Sequence, residues 1–197
     1  MCRCANYPLR SLISWKGTRT RISISCPFDW SDQTRISSTF AYLSRMRASA
    51  FDPCIPTPGT KVPNRPEWLH EIKHDGYRLI VQREGKRIRP FTRNGYDWSH
   101  RFPLIVRAAL RNRQSSFVID GEAVLLGVDG RPDFNGLHSG QHDEEVQFYA
   151  FDILVSDGDD IRNLPLTMRK SSLARLLTRR VDGIFQHDDA RKAEQVK

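Results

Sequence analysis

An α+β fold, with two twisted, mainly antiparallel sheets and short flanking helices, is predicted by three features of this sequence. Between residues 68 and 155 most apolar side chains fall in short runs bounded by turn signals, the pattern of strands. Only two stretches, residues 102–113 and the segment opened by Thr167, carry the wider apolar spacing of an amphipathic helix. Several strands follow one another through tight turns, which predicts meanders packed as layers rather than a regularly alternating parallel sheet. The length of 197 residues suits one domain.

The N-terminal 45 residues stand apart. They hold seven basic and two acidic side chains, so +5 of the formal +8 lies there. The basic balance is thus largely a property of this stretch, and weak ground by itself for nucleic-acid binding. It is rich in Ser, Thr and Arg, shows no sustained period, and lacks the apolar run of a secretory signal. Residues 1–45 are expected to be a disordered extension ahead of a more natural start at Met46. All four cysteines, Cys2, Cys4, Cys26 and Cys54, lie early in the chain, which fits a reducing compartment better than a disulfide-stapled scaffold. The longest apolar run, residues 123–128, is far short of the ~18–20 residues of a membrane span, so no membrane association is expected.

Each later element has its own justification. Residues 46–66 are a Pro-rich lead-in, because each proline fixes φ and removes a donor. Residues 68–73 and 77–84 read as strands, and Gly85-Lys86 as a turn into a third at 87–92. Leu104, Ile105, Ala108 and Ala109 give the helix at 102–113 its apolar face. Residues 116–119 and 123–126 read as two strands, 134–142 as one or two helical turns, and 146–155 as a strongly apolar strand. Thr167 is positioned to cap a helix with Leu173, Leu176 and Leu177 on its apolar face. Residues 67–185 form the predicted domain, and 186–197 a polar tail with almost nothing to bury.

The sharpest chemical pattern is Lys73-His74-Asp75-Gly76-Tyr77-Arg78. A lysine beside an Asp-Gly turn can line a pocket, and acts as a nucleophile once desolvation or neighbouring cations favour its neutral amine. Arg78 and Arg93 are candidates to supply positive field and grip phosphate oxygens, and Glu122 to hold a divalent cation or a ribose hydroxyl. Asp-Gly alone is poor evidence, since it occurs five times. His138 and His142 have helical i, i+4 spacing but no third ligand, so a solvated face explains them better than a metal does.

The order of segments is more specific. Residues 71–78 (EIKHDGYR), then 92–95 (TRNG), 117–122 (FVIDGE) and 148–154 (FYAFDIL) resemble motifs I, Ia, III and IIIa of the ATP-dependent DNA ligases, nearest to the short bacterial and end-joining types. The resemblance implies a nucleotidyltransferase (adenylation) fold with the nucleotide between the sheets. It implies that Lys73 becomes AMP-linked, that Glu71 lies near the adenine edge, and that Phe151 stacks on the purine. Glu122 then meets ribose or metal, while Arg78 and Arg93 meet phosphates. ATP with Mg²⁺ or Mn²⁺ is the implied cofactor set. Nicked or broken duplex DNA is the implied substrate, a Ku-like end-binding protein a candidate partner, and the bacterial cytoplasm at the nucleoid the implied location.

The sequence also departs from that family. Asp182-Gly183-Ile184-Phe185 has Asp where motif IV has Glu, and comes early; no Lys-x-Lys of motif V follows, nor an OB-fold. A partial adenylation domain with weak or absent self-adenylation and no nick sealing is therefore expected. Two alternatives stay open: an inactive remnant that binds nucleotide or DNA, and an mRNA-capping-type guanylyltransferase, which shares the Lys-x-Asp-Gly nucleophile.

Overall fold

The computed structural model describes residues 21–25, 51, 69–179 and 181–187. Its centre is one six-stranded sheet in the order β4-β3-β5-β6-β7, with β8 added beside β6. The strands are β3 (Tyr77–Glu84), β4 (Arg87–Thr92), β5 (Ser116–Val124), β6 (Gln147–Ser156), the two-residue β7 (Asp159–Asp160) and β8 (Ile184–Gln186). The helices are α1 (Pro103–Arg111), α2 (Phe134–Ser139) and α3 (Leu166–Leu176). Neighbouring strands pair antiparallel except β8, which runs parallel to β6. Parallel neighbours need a crossover, and α3 supplies it.

The α+β class agrees with the sequence; the expected second sheet does not appear among the described residues. Apart from the six-stranded sheet, the described residues hold only a two-stranded ribbon, in which β1 (Arg21–Ser25) pairs antiparallel with β2 (Leu69–Lys73). The expected disordered extension therefore contains a strand. Its sequence, RISIS, alternates over five residues, too short a period to stand out from the Ser/Arg-rich background. The rest of residues 1–45 lies outside the described residues.

Alternation along β3 divides the core. Leu79 and Val81 point to the face covered by α1 and α3, where they join Phe102, Ile105, Phe117, Phe148 and Leu173 in one buried cluster. Ile80 points to the other face, into a smaller cluster with Val118, Leu154, Val155 and Phe51. Phe51 is thus a core residue in the predicted lead-in, and Arg162 lies 5.1 Å over its ring. The predicted polar tail also begins too early: β8 reaches Gln186, and His187 is buried with its N–H donated to Ala150 O at 2.7 Å.

Other boundaries shift for local reasons. Residues 116–124 form one strand, because Asp120-Gly121 lies within the ladder with register irregularities beside it. A Cβ on Gly121 would stand 2.4 Å from Tyr149 O, so the glycine permits close approach of β5 and β6 and makes no turn. α2 stops at Ser139 because Gly140 takes a left-handed φ of 73°. Thr167 does not cap α3: Pro165 holds the cap position, with no side-chain cap bond.

Arg83 ties α1 to the sheet. Its buried guanidinium donates to Ala109 O at 2.5 Å and Asn112 O at 2.9 Å, answering carbonyls at the end of the helix. Arg83→Met leaves those carbonyls without this donor and is expected to cost about 2–3 kcal/mol, read from urea melts.

Candidate active site

The site is built where β2 ends and β3 begins. Lys73 is the last residue of β2, its backbone paired with Arg21; its side chain lies outside the described residues. After it, His74, Asp75 and Gly76 form a bend. Gly76 is needed there for contact: a Cβ would stand 2.2 Å from Ala123 O and 3.0 Å from Glu122 Cγ. Gly76, three residues beyond Lys73, thereby presses the bend against β5 at Glu122 and Ala123.

Cross-strand register then collects the candidates. Arg78 on β3 sits opposite Glu122 on β5, so both project from the sheet face opposite Leu79. Arg78 makes a two-pronged pair with Asp120, Nε to Oδ1 at 2.5 Å and Nη2 to Oδ2 at 2.7 Å. Its guanidinium also lies 4.2 Å from the centre of the Phe151 ring. Burial pushes the Asp120 carboxyl above its ordinary range, Arg78 pulls against that, and Asp152 adds to the push. Two donors of Arg78 are thus committed to positioning, which a reading of it as a phosphate ligand does not foresee.

Glu71 is likewise engaged. Its carboxylate is buried and ion-paired with Lys170 of α3. Arg169, the preceding residue, pairs with Asp152 on β6 at 2.9 Å, so successive cations of one helix brace β2 and β6. Arg93 is exposed in the turn after β4, with no ion pair to the other candidates among the described residues. Asp75 is exposed. His138 donates to or accepts from Tyr77 Oη at 2.7 Å, whereas His142 lies past α2 and pairs with Glu145. Among the described residues no group of three or more His, Cys, Asp or Glu could hold a metal ion.

Sequence reasoning missed an aromatic wall. His74 lies 4.6 Å from the Tyr149 ring and 4.9 Å from that of His187, and Phe185 stacks on Tyr149 at 5.6 Å. Tyr149 could have been found, since it shares the i, i+2 face of β6 with Phe151. Phe185 lies in the segment compared with motif IV, but its place against Tyr149, like that of His187 beside His74, depends on the β8 crossover. Chemically, the face offers a carboxylate and an aromatic ring held by a cation, beside the bend that follows Lys73. These are groups suited to a nucleotide.

Comparison with known proteins points the same way. The family model for the ATP dependent DNA ligase domain matches residues 46–197. The chain is 37% identical over 118 residues to the multifunctional non-homologous end joining protein LigD of Pseudomonas aeruginosa, covering 58% of this chain and 14% of that protein. It is 38% identical over 118 residues to a probable DNA ligase of Streptomyces coelicolor, covering 54% of this chain and 23% of that protein. The crystal structure of the ligase domain of M. tuberculosis LigD is 31% identical, with a TM-score of 0.49, covering 55% of this chain and 35% of that one. The chain spans less than a quarter of the length of either of these two curated relatives. Among the described residues no helix is long and apolar enough to cross a membrane. With more than three quarters of its length matched by the family model, the chain belongs to the ATP-dependent DNA ligase family, as part of its adenylation domain.

Proposed function

We propose that this chain carries the nucleotide-accepting half of an ATP-dependent DNA ligase, and that Lys73 is its nucleophile. The observation that supports this most is the convergence of Arg78, Glu122 and Phe151 on one sheet face, beside the bend that follows Lys73. In the reaction the Lys73 ammonium first loses a proton; its amine then forms an N–P bond to the α-phosphorus of ATP as the bond to pyrophosphate breaks. Phe151 provides a flat apolar surface for the purine, held by the Arg78 guanidinium. Glu71, fixed by Lys170, lies on the same strand as Lys73 and reads the adenine edge. Arg93 meets phosphate.

Mg²⁺ or Mn²⁺ fits this donor set as an ion brought with the nucleotide, because such ions are held by one or two carboxylates plus substrate phosphates, and Glu122 is the carboxylate in position. When bound, the ion would neutralise charge developing on the phosphates. The lysyl-AMP so formed is the donor for sealing nicked or broken duplex DNA in repair and recombination, within a bacterial cytoplasm at the nucleoid. The named end-joining role of the LigD relatives supports a Ku-like end-binding partner.

Incubation with α-labelled ATP or GTP and Mg²⁺ tests the reading. Covalent label from ATP is expected. Stronger label from GTP would instead assign the chain to capping-type chemistry, and none from either would make it an inactive remnant.

A further inference from the structure

Two acid-free stretches of the chain meet on the outer side of the helices. Residues 98–119 contain four arginines and no Asp or Glu; residues 161–181 contain five arginines, one lysine and again no acid. The fold sorts these cations. Arg101 pairs with Asp143, Arg162 with Asp160, Arg169 with Asp152, and Lys170 with Glu71. Arg107, Arg111, Arg113, Arg175 and Arg179 are exposed, and none has a carboxylate in ion-pair range among the described residues. The ends of α1 and α3 that carry most of them are tied together, Asn112 Nδ2 donating to Leu176 O at 2.7 Å.

Helix electrostatics accounts for only part of this. One cation in a last turn complements the helix carbonyls, and Arg111 and Arg175 occupy those positions. Arg107, Arg113 and Arg179 are in excess. They cost self-repulsion that a polyanion would relieve. α3 reaches the candidate site through Arg169 and Lys170 in its first half, whereas Arg175 and Arg179 lie at and beyond its end, and α1 packs on the Leu79 face, opposite Arg78 and Glu122.

We propose that this arginine surface binds the phosphate backbone of duplex nucleic acid, as a second contact region separate from the Lys73 site. Guanidinium forks suit phosphate oxygens, and interfaces with DNA are polar and strongly positive. An interface with another protein would need an apolar centre, and α1 exposes only Leu110, at 40%, beside these arginines. The choice of DNA as ligand rests on the ligase reading above; the charge segregation does not.

The test uses the full chain and an intact, blunt duplex of roughly 30 base pairs, with binding followed by anisotropy from about 50 to 200 mM KCl. The variant Arg107→Gln/Arg113→Gln/Arg179→Gln leaves one cation at each helix end. It should flatten the slope of log affinity against log salt by ~2–3 and weaken low-salt binding at least ~tenfold. Its melting temperature and its nucleotide labelling should match the unaltered chain. The same three positions changed to Lys should restore the slope. An unchanged slope, no duplex binding by the unaltered chain, or equal displacement by polyglutamate of matched charge would overturn the proposal. Because label is read on the same samples, DNA binding without label refutes the adenylation reading alone, and label without arginine-dependent binding refutes this one alone.

Discussion

Arg78→Met is expected to destabilise the fold by about 3–5 kcal/mol at neutral pH, with solvent contact of the arginine keeping the value toward the lower end. The arginine is the partner of Asp120, which is 3% exposed, and its removal strands a carboxylate in the sheet. What then remains are burial and the Asp152 charge, both raising the Asp120 pKa, against a single backbone hydrogen bond from Gly121. The folded-state value therefore stands above the unfolded ~3.9. A group shifted this way favours the folded state below the unfolded pKa and loses that contribution as pH rises through the folded one. The gap between variant and parent should be small near pH 4 and widen toward pH 7 in urea melts. A gap independent of pH would mean that Asp120 is not the group exposed by the loss of Arg78.

Glu122→Gln is expected to lower the rate of nucleotide labelling by 10²–10³, or ~3–4 kcal/mol of barrier, as for loss of one preorganised charge contact in a phosphoryl-transfer site. Gln keeps the shape of the side chain at a half-buried position, so the melting temperature should hardly move. Raising Mg²⁺ should recover part of the loss if the carboxylate holds the ion, and none if it holds only the ribose. Label formed at the parental rate would remove Glu122 from the site.

How much of this was legible in the sequence depends on how local each feature is. β3 and β4 were bounded to the residue, because alternation and the Gly85-Lys86 turn lie within one short segment. The motif order was equally local, and it led to the family. Asp120-Gly121 misled: as a turn dipeptide it splits β5, yet what demands the glycine is the backbone of β6, far away in sequence. The ion pairs Arg78–Asp120 and Lys170–Glu71 join residues from separate elements, and no spacing rule connects them. The parallel β8, and with it His187 beside His74, depends on the α3 crossover. Candidate residues were therefore readable one at a time, while the partners that hold them in position were set by tertiary packing.

The most direct test of the central claim is peptide mapping after incubation with ATP and Mg²⁺. Chain so treated is digested and its peptides examined by mass spectrometry for an added AMP, with Lys73→Ala carried in parallel. The account predicts AMP on the peptide containing Lys73, in a bond that is labile to acid as a phosphoramidate is, and no adduct anywhere in the Lys73→Ala chain. AMP on another lysine, or an adduct that survives Lys73→Ala, would contradict it.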